Sequence, residues 1–311
     1  MLLERFASSP APALDSLSVA EARRSYREGR LALAPPPAAM EETRDFIIPG
    51  AAGGIKARYY RPLGEDPAAA LPAVVYFHGG GWTCGDLDTH DSVCRGIAVH
   101  GRCAAVAIDY RMGPEHKFPA AVEDAIAAVK WVSANAGSLR VDASRLAVAG
   151  ESAGGNLAAV AAIALRESGP AVAMQVLAYP VVDQASDTDS LRRFARGYSL
   201  TADLLRWYQS QYLRDERDRA DWRASPLLAR DHSRLPPAYI LTAGFDPLLD
   251  EGRAYADRLE QAGVSVVYEC FEGMFHGFLP MGRALAAARH AHYRIGQMLR
   301  TRFGTFPGVR P

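Results

Sequence analysis

The pentapeptide Gly150-Glu151-Ser152-Ala153-Gly154 is the strongest chemical signal in the sequence. It follows the apolar run Leu146-Ala147-Val148-Ala149 and opens an Ala-rich helical stretch over 153–165. A serine on a sharp strand-to-helix turn presents its Oγ as a nucleophile. The turn brings strand and helix so close that the residues two before and two after must be tiny. The helix N-terminus adds the positive end of a dipole, which favours developing negative charge. A second motif, His78-Gly79-Gly80-Gly81-Trp82, follows the apolar run Val74-Val75-Tyr76-Phe77. Consecutive glycines let backbone N–H groups turn toward an oxyanion without Cβ obstruction. Losing one such donor costs about 2.7–4 kcal/mol of transition-state stabilisation. The N–H groups of Gly80, Gly81 and Ala153 are the expected oxyanion donors, and His78 is expected to fix its loop. Neither a GxxxxGK[ST] nor a GxGxxG pattern is present there, so the loop is not read as a phosphate cradle.

A serine nucleophile needs a base, and the base needs an orienting group. Of the eight histidines, His276 stands in Gly273-Met274-Phe275-His276-Gly277-Phe278, just after an apolar, strand-like run. It is the candidate base. His90, His100, His116 and His232 have polar or helical neighbours and are expected at the surface. His290 and His292 are two apart on a helix, face different ways, and cannot form a metal pair. For the orienting carboxylate, Asp246 follows the run at 238–241, and Asp183 is the rival position after the run at 174–178. Asp250 and Glu251 read as the first turn of the next helix. No metal ligand set and no cofactor motif is found.

The elements that must carry these groups form a regular series. Apolar runs at 73–77, 104–108, 146–149, 174–178, 238–241 and 264–271 alternate with amphipathic stretches at 88–101, 118–136, 153–168, 249–262 and 283–303. Near-continuous apolar strands mean a sheet covered on both faces, and alternation with helices means a mostly parallel, doubly wound α/β fold. Phe46–Ile48 and Ile55–Tyr60 read as two strands flanking the Gly53-Gly54 turn. Leu14, Leu17, Ala20 and Arg24 stand at helical spacing, and Ala34-Pro35-Pro36-Pro37 reads as a stiff connector. About sixty residues separate the runs at 174–178 and 238–241, far more than one crossover needs. That stretch carries the charged run Arg214–Arg219 with Trp207, Tyr208, Tyr212 and Trp222, which need something to pack on. A core of 46–184 and 226–311, with a helical cap of 1–45 and 185–225, accommodates both features.

Composition sets the outer limits. The chain has 311 residues, with 35 Lys+Arg against 35 Asp+Glu, and 49% hydrophobic residues. Zero formal charge argues against nucleic acid as a partner. No run of about 18 apolar residues is present, so no stable membrane association is expected. The opening MLLERFASSP has charges where a signal peptide would be apolar, and the four cysteines form no CxxC pair; a reducing, cytoplasmic location is expected. The run 264–271 is expected at a sheet edge, where its unpaired backbone could pair with a second copy of the chain.

Taken together, these motifs resemble the hormone-sensitive-lipase family of α/β-hydrolases, in its bacterial HGGG esterase branch. Three further blocks support the resemblance: Asp109-Tyr110-Arg111-Met112-Gly113-Pro114-Glu115-His116, Phe118-Pro119-Ala120-Ala121-Val122-Glu123-Asp124, and Asp246-Pro247-Leu248-Leu249-Asp250-Glu251-Gly252. The likeness runs from about Phe46 to about Arg302 and weakens over the cap. It implies hydrolysis of a small carboxylic ester without metal or cofactor, with Ser152 as nucleophile, Asp246 as acid and His276 as base. The order Ser152, Asp246, His276 is that of the α/β-hydrolases. Two departures stand out. Glu151 replaces the Asp often found there, and Tyr-Arg-Met-Gly-Pro-Glu replaces Tyr-Arg-Leu-Ala-Pro-Glu. The heavily charged insert favours a short- to medium-chain ester, held near Trp82, Phe275 and Phe278. Amides and lactones suit the same triad, and a non-catalytic receptor on this fold would be expected to lack a triad member.

Overall fold

The computed structural model describes residues 12–50 and 52–305. The opening MLLERFASSP lies outside the described residues. Eight strands form one sheet: β1 (Met40–Gly50), β2 (Gly53–Pro62), β3 (Leu71–Phe77), β4 (Ala104–Asp109), β5 (Val141–Glu151), β6 (Met174–Ala178), β7 (Ala238–Phe245) and β8 (Val266–Phe275). Their order is β1-β2-β4-β3-β5-β6-β7-β8. The pairs β1–β2 and β2–β4 are antiparallel, and every other neighbouring pair is parallel.

Sequence period and layer agree closely along β3, where all seven residues are buried. Val75 and Phe77 join the core on one face, and Val74 and Tyr76 join the core on the other. Successive side chains of a strand point to opposite faces, so a continuous apolar run fills two cores at once. Helices α2 (Asp91–Gly101) and α9 (Ala286–Phe303) cover one face. A Cβ on Gly296 would stand 2.4 Å from the backbone of His100, which explains why these helices pack so tightly. Helices α3 (Ala120–Ala134), α5 (Ala153–Leu165) and α8 (Leu249–Gln261) cover the other face. The short α4 (Ala136–Leu139) leads into β5.

Three helices stand apart from this sandwich. Helix α1 (Val19–Leu33) opens on a capping box, in which the Ser18 side chain accepts from Glu21 N and Glu21 reaches back to Ser18 N. Helices α6 (Asp189–Arg193) and α7 (Ala202–Tyr212) lie in the long stretch between β6 and β7. The N-terminal pattern differs from expectation. Leu14 lies in a 3-10 turn and Leu17 precedes the helix, while Ala22 and Tyr26 form the buried face of α1. Strand β1 begins at Met40, so residues 40–45 pair in the sheet rather than standing with the cap. Strand β8 begins two residues later than the apolar run and continues to Phe275, because its last residues still pair with β7. Among the described residues, no helix is long and apolar enough to cross a membrane.

Candidate active site

The candidate groups come from the C-terminal ends of parallel strands. Ser152 sits between β5 and α5 with φ 54° and ψ −118°, a backbone conformation that an L-residue holds only at a cost of about 1–3 kcal/mol. The neighbouring glycines are obligatory. A Cβ on Gly150 would stand 2.2 Å from Gly154 O, and one on Gly154 would stand 2.0 Å from Phe77 O. Ser152 N donates to Ala178 O at 2.9 Å, which ties the turn to β6.

The structure brings Ser152, His276 and Asp246 together. His276 Nε2 faces Ser152 Oγ at 2.9 Å, and His276 Nδ1 faces Asp246 Oδ2 at 2.8 Å. Asp246 is fully buried after β7, and its Oδ1 accepts from Leu248 N at 2.9 Å, so the carboxylate has a fixed direction. With Nδ1–H donating to Asp246, Nε2 is left to accept from the serine hydroxyl. The rival Asp183 accepts instead from Ala185 N within its own loop.

In the glycine loop, Gly80 has φ 115° and Gly81 has φ 62°. A Cβ on Gly81 would stand 2.1 Å from the Tyr208 ring of α7. Among the described residues, none accepts a hydrogen bond from the N–H of Gly80, Gly81 or Ala153. His78 is buried, with Nδ1 2.8 Å from Gly79 O and its ring stacked 4.4 Å from Tyr110. Burial pulls its pKa down to about 4, helped by the nearby His90, so the ring is neutral at pH 7.

Behind the serine lies a network around Glu151 whose partners, His90 and Tyr179, sequence reasoning missed. Glu151 is buried, with Oε1 2.8 Å from His90 Nε2 and Oε2 accepting from the Tyr179 hydroxyl. That hydroxyl also accepts from Leu279 N at 3.2 Å, and the Tyr179 ring meets His276 edge-on at 4.9 Å. One carboxylate thus joins the serine turn to His90 and, through Tyr179, to the histidine loop, and it lies against the glycine loop, where a Cβ on Gly79 would stand 2.4 Å from its Oε1. Burial opposes its charge, but His90 and Arg30 outweigh burial and hold its pKa at about 2. His90, expected at the surface, is buried because it is the partner of Glu151. His232 is also buried, its Nε2 2.9 Å from Pro226 O. Polar neighbours in sequence gave no sign of either.

Ser152 and His276 open onto a cavity of about 590 Å³ lined by Tyr26, Arg30, Leu200, Leu205, Tyr208 and Met281, among others. Trp82 borders it, but its fully buried ring stacks on Tyr212 of α7 at 4.2 Å and 5°. Phe275 and Phe278 do not line it, contrary to expectation. Both are buried, and Phe278 packs beneath the site on Tyr179 and Phe271. Among the described residues, no cluster of three or more His, Cys, Asp or Glu is arranged to hold a metal ion.

The three side chains thus meet at the strand ends of a mostly parallel, doubly wound sheet. A family model described as the alpha/beta hydrolase fold matches residues 74–280, and the chain belongs to that family. It is 44% identical over 279 residues to the carboxylic ester hydrolase LipN of Mycobacterium tuberculosis, covering 86% of this chain and 73% of that protein. It is 39% identical to the ethyl acetate hydrolase of Pseudomonas putida, covering 88% and 87%. Among solved structures, an alpha/beta hydrolase from the metagenome of Lake Arreo superposes with a TM-score of 0.93 at 42% identity, covering 98% of this chain and 96% of that one. An esterase of Pyrobaculum calidifontis gives 0.89 at 42% identity, covering 96% of each.

Proposed function

We propose that Ser152 attacks the carbonyl carbon of a carboxylic ester and carries the acyl group as a covalent intermediate. The chain is a carboxylic-ester hydrolase. The observation that carries the finer reading is the unbroken series Ser152 Oγ, His276 Nε2, His276 Nδ1 and Asp246 Oδ2, with contacts of 2.9 and 2.8 Å.

His276 takes the hydroxyl proton as Oγ bonds to the carbonyl carbon, and Asp246 stabilises the imidazolium. Gly80, Gly81 and Ala153 supply the N–H donors for the oxyanion. The C–O bond to the alcohol then breaks, with the imidazolium protonating the leaving oxygen. Water enters, His276 removes its proton, and hydroxide attack frees the acid and restores Ser152. The substrate is a short- to medium-chain ester, an assignment supported by Leu200, Leu205 and Met281 in the cavity wall. The helical segments within 1–45 and 185–225 act as the cap. The HGGG loop supports a place in the hormone-sensitive-lipase branch. Four free cysteines fit a reducing, cytoplasmic setting.

The test is hydrolysis of p-nitrophenyl acetate through decanoate by wild type and Ser152→Ala. Wild type should peak at short or medium chains, and the variant should lose about three orders of magnitude or more in kcat. A fluorophosphonate should label wild type alone. Equal rates in the two proteins, or no label on Ser152, would overturn the reading.

A further inference from the structure

The three catalytic positions are not equally supported by the sheet. Ser152 is held between β5 and α5 and bonded to β6, and Asp246 is fully buried with its own turn closed on its carboxylate. His276 follows the end of β8, which has a neighbour on one side only. Its loop turns immediately, with Gly277 at φ 74°.

Two side chains from outside the sheet meet this loop at consecutive carbonyls. Ser199, two residues before Thr201, the N-cap of α7, donates its hydroxyl to His276 O at 2.6 Å. Arg30, on α1, donates Nη1 to Gly277 O at 2.6 Å. The Arg30 guanidinium is itself fixed over the Tyr26 ring at 4.9 Å, and a Cβ on Gly277 would stand 2.8 Å from its Nη2. Both residues also line the cavity next to Ser152. The same helix reaches the glycine loop through Arg23, whose Nε donates to Thr83 O at 2.8 Å.

We propose that Ser199 and Arg30 are positioning residues for His276, clamping its loop from the two segments that roof the cavity. The inference rests on the reading of His276 as general base. Peptide orientation at 276–277 sets where the imidazole hangs, and a misplacement of about 1 Å in a catalytic group costs about 100-fold in rate. A roof that closes over substrate is therefore also what holds the base on line with Ser152 Oγ. Neither residue touches a reacting atom; each holds the loop through a main-chain carbonyl, and Arg30 in addition lies close enough to Glu151 to stabilise its charge.

The clamp is tested with Ser199→Ala, Ser199→Thr, Arg30→Met and Arg30→Lys, using p-nitrophenyl butyrate turnover and the rate of labelling by a small fluorophosphonate. Ser199→Ala should lower kcat about 10-fold with KM within about twofold, and labelling should slow in parallel. Ser199→Thr, which keeps the hydroxyl, should recover most of the rate, and Arg30→Lys should outperform Arg30→Met. If Ser199→Ala does not fold, the Arg30 pair carries the same comparison. Variants that raise KM while kcat and labelling stay at wild-type values would overturn the proposal, as would variants that lose only thermal stability. Failure of wild type to be labelled would instead bring down the assignment of Ser152 itself.

Discussion

Glu251 shows how far one buried side chain departs from its ordinary behaviour. It stands in the first turn of α8, and its Oε1 accepts from Val182 N at 2.8 Å and Asp183 N at 3.4 Å. Burial pushes its carboxyl from 4.5 up to about 8, against these hydrogen bonds. Between those values the folded chain binds a proton that the unfolded chain has released. This contribution to stability is present below about pH 4.5 and is lost as pH rises through about 8. Glu251→Gln keeps the acceptor and removes the titration. Relative to the variant, wild type should lose up to about 1 kcal/mol of stability per pH unit across that window, read from urea unfolding at pH 5, 6 and 7. Parallel pH profiles would contradict the assignment. The placement of Glu251 in a helical first turn was legible in the sequence, but its burial was not. The grouping of Ser152, Asp246 and His276 was legible because each follows a strand-like run with a distinctive flank. His90 and Glu151 were opaque because their pairing joins residues 61 apart, and no local pattern encodes it.

Among the elements, the β5–α5 turn is the most constrained. Gly154 lies against the end of β3, where the Phe77 and His78 carbonyl oxygens stand 2.0 and 2.6 Å from the place of an added Cβ. Those are backbone atoms and cannot swing aside. Gly154→Ala should cost about 1–3 kcal/mol through overpacking and displace Ser152, lowering kcat alongside stability. Urea unfolding with parallel turnover checks this, and a variant with wild-type values for both would refute it. Apolar runs located six strands because two-sided burial leaves little room for polar residues. A helix in the N-terminal stretch was legible, but its start and its buried face were not, because its buried contacts are few. Ala22 and Tyr26 alone form its buried face, while arginines on the same helix make long-range contacts that periodicity cannot reveal.

For the molecule as a whole, the open sheet has edges at β1 and β8, and at β8 Val267 is 41% exposed. We expect a second copy to pair there, since an uncovered strand edge invites another strand. Light scattering after size exclusion at micromolar concentration should give about twice the 33.6 kDa chain mass; a peak at the chain mass would refute it. The strand ends have one more consequence. Ser152 follows β5, Asp246 follows β7, His276 follows β8, and the glycine loop follows β3. The four groups therefore span β3-β5-β6-β7-β8, and turnover reports the assembly of those five neighbouring strands rather than of β1, β2 and β4. During refolding, recovery of p-nitrophenyl ester hydrolysis should not precede the pairing of β3 with β5 through β8, read by stopped-flow turnover beside pulsed hydrogen exchange; activity before protection of those strands would refute it.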